Sequence, residues 1–279
     1  MGSHDRDGFL AAYDKVMARW PADREAVTVP TPFGTTYVNV CGPHDGPPVL
    51  LLPGGGATAA SWYAQAGELA RTRRVYAVDL IGVAGRSTAD RPPRKVADLG
   101  DWLDAVLDGF GVDRADLGGH SYGAWIALHY ALRAPSRVRR LFLLDPTQCF
   151  AGFKAAYLMR ALPMLLRPTP ARVRAFLEWE TGGADPAWLR LQEAAAGFPS
   201  AKPVTGPRPS AEALRALDVP VLLLLAGNSR THDTYEVAEK ARELLPRAEI
   251  DVVPDVSHHA LPQSAPPELA HRLGDFLSR

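Results

Sequence analysis

The chain has 279 residues, and its 31 basic side chains balance its 31 acidic ones, so its formal net charge is zero. This length allows one large or two small domains, whose core needs no disulfides or metals for stability. Zero net charge argues against a protein that binds nucleic acid or an anionic membrane, because both partners require a basic surface. No apolar run reaches the roughly 18 residues of a membrane helix, so we expect no membrane span.

The two cysteines, Cys41 and Cys149, have no zinc-ligand spacing and are interpreted as buried thiols. We therefore expect no metal site, and no motif indicates a cofactor. The first five residues lack the apolar segment of a signal peptide, which favours a cytoplasmic protein. Nothing in the sequence indicates the oligomeric state.

Strand and helix patterns alternate along most of the chain. The first half predicts helices over 9–20, 61–72, 97–110 and 122–132, and strands over 26–29, 35–40, 49–52, 74–80, 115–118 and 138–144. The last part predicts strands over 219–225 and 250–253, and helices over 234–245 and 268–278. This alternation is typical of an α/β fold, in which helices cover both faces of a parallel sheet.

The alternation is interrupted between residues 146 and 217. This stretch contains helical segments and proline-rich loops but no clear strand pattern. The sequence therefore predicts one α/β core, formed by 1–145 and 218–279, with a helical cap formed by 146–217.

The segment Gly119-His120-Ser121-Tyr122-Gly123 matches the G-x-S-x-G pattern of a nucleophile elbow. A serine at a sharp strand-to-helix turn needs very small neighbours two residues before and after it. A predicted strand precedes this segment and a predicted helix follows it, as that turn requires. The alternative is a glycine-rich turn whose serine only caps the helix.

A second glycine segment, Gly54-Gly55-Gly56, follows the apolar strand over 49–52. Acyl transfer needs two backbone N–H groups directed at the developing oxyanion. We expect these donors to be the N–H groups of Gly55 and Tyr122. The alternative of a phosphate-binding loop is disfavoured, because no lysine follows the glycines and the dinucleotide-binding spacing fails.

These segments, together with 75–80, 85–87, 219–223 and 253–258, resemble the α/β-hydrolase-fold superfamily of the esterase and lipase type. The resemblance extends from about residue 28 to 277. It implies a mostly parallel eight-stranded sheet, helices on both faces, a helical cap and a serine nucleophile at Ser121. Pro53 stands where the family usually has histidine, which should leave the Gly55 donor in place.

The resemblance also implies a catalytic histidine after the last strand, where Ser257-His258-His259 occurs. Histidine suits this role because its near-neutral pKa lets it accept and return the serine proton. His258 is the favoured candidate. His259 is the alternative candidate. If it is not catalytic, we interpret it as a neighbour of His258 that lies on the surface or faces the cap.

The acid that completes such a triad is not at its usual place. The family places it just past the strand over 219–225, near Ser229 or Arg230, and neither is acidic. Asp145 is the favoured substitute, because it ends the strand beside the nucleophile strand, as in some haloalkane dehalogenases. Asp233 is the alternative acid, although Asp233-Thr234-Tyr235-Glu236 also has the spacing of a capping box. A third possibility is that no acid operates.

The favoured function is that of a serine hydrolase that cleaves small to medium apolar carboxylic esters through an acyl-enzyme. Expected substrate contacts are Gly54, Trp62, Phe150 and Tyr157. Two alternatives remain open. One is an acyltransferase or biosynthetic tailoring enzyme with the same triad, and the other is a ligand-binding protein on this fold with weak turnover.

Overall fold

The computed structural model describes residues 3–21, 23–263 and 267–279, and its central element is a β-sheet. The described strands are β1 Glu25–Thr31, β2 Gly34–Cys41, β3 Pro48–Leu52, β4 Arg74–Val78, β5 Thr88–Ala89, β6 Ala115–His120, β7 Val138–Leu144, β8 Val221–Ala226 and β9 Glu249–Val253. Eight of them follow the order β1-β2-β4-β3-β6-β7-β8-β9, and the short β5 pairs with β2 beside that path.

Strand direction agrees with the predicted fold class. β2 is antiparallel to β1, β4 and β5, whereas the neighbours from β4 through β3 to β9 are parallel. The predicted mostly parallel sheet of eight strands is therefore confirmed, and β5 is an additional strand. All six residues of β8 are buried, as expected for a parallel strand covered on both faces.

Helices cover both faces of this sheet. The described residues form α1 Ser3–Met17, α2 Tyr63–Leu69, α3 Val96–Gly109, α4 Tyr122–Arg133, α5 Ala155–Leu166, α6 Pro170–Thr181, α7 Pro186–Ala195, α8 Ala211–Ala216, α9 Thr234–Leu244 and α10 Pro267–Ser278. Within this part of the chain, no helix combines the length and apolar character needed to cross a bilayer.

Two apolar clusters hold the layers together, one on each face of the sheet. Within β3, Leu50 and Leu52 belong to the cluster that also contains α3, α4, α8 and α9, whereas Val49 and Leu51 belong to the cluster that contains α1, α2 and α10. This division follows from the two-residue period of a strand, which directs successive side chains to opposite faces.

The segment 146–217 connects the adjacent strands β7 and β8 and contains α5 to α8. α5, α6 and α7 share a third apolar cluster, which includes Phe176, Leu177 and Trp188. α8 packs elsewhere, because its Leu214 is part of the main core. The division into a core and a cap at residues 146 and 217 stays a prediction.

Candidate active site

Ser121 lies at the sharp turn between β6 and α4. Its backbone has φ 53° and ψ −115°, a region that residues with side chains rarely occupy. A Cβ atom on Gly119 would come within 2.4 Å of the Gly123 backbone, and one on Gly123 within 2.4 Å of the Leu52 carbonyl oxygen. Both glycines are therefore required for the turn, the helix and β3 to approach so closely.

Ser121 and Asp145 follow neighbouring strands at the same edge of the sheet. β6 and β7 pair in parallel with His120 opposite Leu144, and the next residue of each strand is the serine or the aspartate. The backbone N–H of Ser121 donates to the Leu144 carbonyl at 2.9 Å. The carboxyl ends of parallel strands are where open α/β sheets bind ligands.

His258 joins these two residues by hydrogen bonds. Its Nε2 lies 2.8 Å from the Ser121 hydroxyl, and its Nδ1 lies 2.6 Å from an Asp145 carboxylate oxygen. All three side chains are buried, and His258 lies on the loop after β9. The arrangement has the nucleophile–base–acid order that acyl transfer requires.

Asp145 is fully buried, yet it is well supplied with hydrogen bonds. Its carboxylate accepts hydrogen bonds from the Ala226 N–H and the Ser229 hydroxyl, each at 3.0 Å. Besides His258, it contacts a second histidine, His232, whose Nε2 lies 3.0 Å from a carboxylate oxygen. Burial alone would raise the pKa of Asp145, but the hydrogen bonds and charges of His232 and His258 outweigh it and hold the pKa well below its usual range. The carboxylate is therefore charged.

The alternative acid Asp233 has a different environment. It is exposed, and its carboxylate accepts from the N–H groups of Tyr235 and Glu236, each at 3.0 Å, at the start of α9. It contacts neither His258 nor Ser121. The capping interpretation therefore describes its contacts, and the interpretation as an alternative acid has no geometric support.

Two other histidines surround His258 and are neutral. His120 Nε2 lies 2.9 Å from the His258 carbonyl oxygen, so this nitrogen carries the proton, and burial lowers the pKa of His120 to about 3. Burial also holds the pKa of His259 well below its usual range. His259 Nε2 lies 3.2 Å from the Tyr157 hydroxyl, so His259 faces the helices of the segment 146–217.

The predicted oxyanion donors lie next to the elbow. A Cβ atom on Gly55 would be 3.6 Å from the Tyr122 Cβ, and one on Gly54 only 2.8 Å from His120 Nδ1. Tyr122 is the first residue of α4, and its hydroxyl donates to the Val204 carbonyl, away from Ser121. Within the described residues, the Gly55 and Tyr122 N–H groups donate to no other group, so both are available to a ligand.

The cavity at Ser121 is small, about 20 Å³, which is little more than the volume that one water molecule needs. A larger cavity of about 310 Å³ lies between α3 and α4 and does not include Ser121. The cavity at Ser121 is lined by Gly54, Gly55, Ala57, Ser61, His120, Ser121, Trp188, His259, Pro262 and Gln263. These residues include no lysine, arginine, aspartate or glutamate.

Two of the predicted substrate contacts are wrong. Trp62 is fully buried and packs edge-on against Phe142 in the core, and Phe150 is buried in the core cluster on the other face. Tyr157 lies close to the site through His259, but its ring packs against Phe153, Phe176 and Trp179 instead of lining the cavity. Gly54 does line the cavity.

Glu180 is a site residue that the sequence did not indicate. It lies near the end of α6, is 2% exposed, and accepts from the Ser257 hydroxyl and from the N–H groups of His258 and His259 at 3.0–3.1 Å. It is 78 residues from His258, and no local pattern connects the two. His232 is a second such residue, and it lies in the loop where the family acid is expected.

Comparison with known proteins agrees with this architecture. The sequence profile described as the alpha/beta hydrolase family matches residues 49–272. Carboxylesterase YbfK of Bacillus subtilis (strain 168) is 31% identical over 261 residues, which cover 90% of this chain and 87% of that protein. The crystal structure of carboxylesterase CesB (YbfK) from Bacillus subtilis superimposes with a TM-score of 0.92 at 28% identity over 98% of both chains. That of naproxen esterase from the same organism superimposes with a TM-score of 0.90 at 25% identity over 99% of both. The chain belongs to the alpha/beta hydrolase family.

Proposed function

We propose that this protein hydrolyses uncharged carboxylic esters, with Ser121 as nucleophile, His258 as general acid and base, and Asp145 as the acid of the triad. The observation that carries the proposal is the hydrogen-bonded chain from the Ser121 hydroxyl through both nitrogens of His258 to Asp145. The carboxylesterases to which the chain is similar support the substrate class.

Acylation follows from this arrangement. Ser121 Oγ attacks the ester carbonyl carbon while its proton moves to His258 Nε2. The charged Asp145 stabilises the imidazolium that forms, and the N–H groups of Gly55 and Tyr122 stabilise the oxyanion. His258 then returns its proton to the departing alkoxide, which leaves as an alcohol, and the acyl group remains on Ser121.

Deacylation repeats the same steps with water as the nucleophile. His258 removes a proton from the water, whose oxygen attacks the acyl carbon. Collapse of the second tetrahedral intermediate releases the carboxylic acid and returns the proton to Ser121. The positive φ of Ser121 places its hydroxyl at the top of the sheet, where both nucleophilic attacks occur.

The lining of the cavity supports an uncharged substrate. No formally charged side chain lines it, and burial keeps His120 and His259 neutral. A cavity of about 20 Å³ cannot hold a whole ester, so part of a bound ester must lie outside it or displace its lining. Trp188, on α7, is the lining residue contributed by a helix of the segment 146–217.

The test is hydrolysis of p-nitrophenyl acetate, butyrate and octanoate by the unmodified protein and by Ser121→Ala. We expect Ser121→Ala to lower kcat by roughly 10³-fold or more, because no acyl-enzyme can form. A serine-directed organophosphonate should add one mass increment, located on Ser121. Ser200→Ala, which changes an exposed serine, is the matched control and should be fully active. Retained hydrolysis in Ser121→Ala would contradict the proposal.

Added methanol distinguishes hydrolysis from acyl transfer. A hydrolase at low methanol concentration should release mostly free acid, since water is the abundant acceptor. Predominant methyl ester at millimolar methanol would instead identify an acyltransferase with the same serine.

A further inference from the structure

The outer face of α5 exposes an unusual amount of apolar surface. In the described part of the chain, the exposed large apolar side chains are Tyr235 and five residues of this helix, Leu158, Met159, Leu162, Leu165 and Leu166. Met159 and Leu166 are 73% and 75% exposed. At about 100° per residue, the five side chains of α5 fall within roughly 120° of arc, so they form one stripe.

This stripe is not needed to pack α5 onto its neighbours. The opposite face carries Tyr157, Ala161 and Met164, which contact the apolar cluster shared with α6 and α7. Leu or Met at five exposed positions therefore contributes nothing to that cluster. A continuous exposed stripe of this kind is typical of a surface that binds a partner.

The surroundings of the stripe are basic, although the whole chain is neutral. From 146 to 177 the sequence has five lysine or arginine residues and no aspartate or glutamate. Lys154, Arg160, Arg167 and Arg172 are exposed, and none forms an ion pair with a carboxylate in the described residues. Arg174 is the exception, because it pairs with Glu178 and Glu193.

We propose that the outer face of α5 is a docking surface for an anionic lipid bilayer. A helix with an apolar stripe and neighbouring basic side chains binds such a surface by lying in the interface plane, with its apolar side chains among the acyl chains. The lysine and arginine side chains then approach the lipid phosphates. A second copy of this chain is a poorer occupant, because pairing two such surfaces would bring like charges together.

The docking surface is close to the candidate active site. Tyr157, on the buried face of the same helix, reaches His259 beside His258. A bilayer bound to α5 therefore lies near the loop that carries His258 and His259. The proposal does not depend on ester hydrolysis, since it concerns only binding.

The test is co-sedimentation of the full chain with phosphatidylcholine vesicles that contain 30% phosphatidylglycerol, and with pure phosphatidylcholine vesicles. The apolar variant is Leu162→Gln/Leu165→Gln/Leu166→Gln, and its control is Tyr235→Gln. The charge variant is Lys154→Gln/Arg167→Gln. Its control is Arg190→Gln/Arg242→Gln, which removes two exposed arginines that have no ion pair in the described residues.

We expect the unmodified protein to bind the anionic vesicles and high salt to reduce this binding. Either α5 variant should bind them at least tenfold more weakly, and either control variant should bind them as the unmodified protein does. Roughly fivefold per lost charge is the expected electrostatic effect. Hydrolysis of a dissolved p-nitrophenyl ester should be unchanged in every variant, which separates this proposal from the proposed function. Absence of vesicle binding, or equal binding in the α5 variants, overturns the proposal. A concentration-dependent dimer that is lost in the apolar variant, without vesicle binding, also overturns it and identifies a second copy as the occupant.

Discussion

At the scale of single residues, the placement of the acid is the most informative feature of the site. Asp145 occupies a strand end, whereas Ser229, at the position usual for the family acid, donates a hydrogen bond to it. In the proposed triad, Asp145 supplies the charge, and the position usual for the family acid supplies only a hydrogen bond to it. A second histidine, His232, also forms a hydrogen bond with the Asp145 carboxylate, so that this buried carboxylate needs no water to solvate it.

We expect Asp145→Asn to lower kcat for p-nitrophenyl butyrate by about 10³- to 10⁴-fold, because an amide would hold His258 in the wrong tautomer. Steady-state kinetics measure this effect, and circular dichroism verifies that the variant is folded. Asp233→Asn is the matched control. It should keep full activity and nearly full stability, since asparagine caps a helix about as well as aspartate. The opposite pattern, with only Asp233→Asn inactive, would show that the acid is misassigned.

At the scale of elements, Glu180 connects α6 to the loop that carries His258. Its two carboxylate oxygens accept three hydrogen bonds from consecutive residues of that loop, Ser257 to His259. Because these contacts are buried, the position of α6 determines the position of the His258 backbone. The helices of the segment 146–217 thus support the candidate site as well as covering it.

We expect Glu180→Gln to lower kcat by about 10- to 100-fold while KM changes little, because the amide group would face donors and displace the His258 loop. The rate at which an organophosphonate labels Ser121 should fall in parallel. Glu178→Gln changes an exposed carboxylate of the same helix and is the control. If Glu180→Gln lowers the melting temperature but leaves kcat unchanged, Glu180 only stabilises the fold.

At the scale of the whole molecule, a buried carboxylate outside the triad makes stability depend on pH. Asp79 follows β4 and accepts from the N–H groups of Ala59 and Arg86 at 2.8 Å and from the Tyr13 hydroxyl at 3.3 Å. Burial raises its pKa from 3.8 to about 6, although these hydrogen bonds lower it. Between about pH 4 and pH 6, Asp79 therefore keeps its proton in the folded protein but has released it in the unfolded chain.

Ionisation of Asp79 should consequently lower the free energy of unfolding by roughly 3 kcal/mol as pH rises from about 4 to about 6. Asp79→Asn cannot ionise, so it should lose this part of the pH dependence even though it is less stable overall. Urea unfolding of both proteins at pH 4, 5, 6 and 7 measures the difference. Parallel pH profiles for the two proteins would contradict the prediction. Asp145, His120 and His259 have lowered pKa values, which make stability rise with pH, but both proteins contain them, so their effects cancel in the comparison.

Local patterns predicted much of this molecule. The strand and helix alternation led to the observed sheet, and the spacing of Gly119 and Gly123 led to Ser121, since the contacts that require glycine involve the turn itself. Position after a strand led to Asp145 and His258, which the structure brings into contact and whose catalytic roles stay predictions. All of these signals lie within a few residues of the feature they indicate.

The rest depends on packing between distant segments. Trp62 and Phe150 are aromatic residues near the site in sequence, but whether such a side chain faces a cavity or the core depends on the elements packed against it. Glu180 meets His258 only because α6 folds back over the loop after β9. The small volume of the cavity is likewise a property of the assembled chain.

The pairing of β6 with β7 has a consequence for how this site can change. Ser121 and Asp145 follow paired residues of adjacent strands, so the strand register sets the distance between them. One residue inserted into or deleted from β7 would turn the aspartate to the opposite face of the sheet. A change in the length of either strand would therefore separate Ser121 from Asp145 in one step.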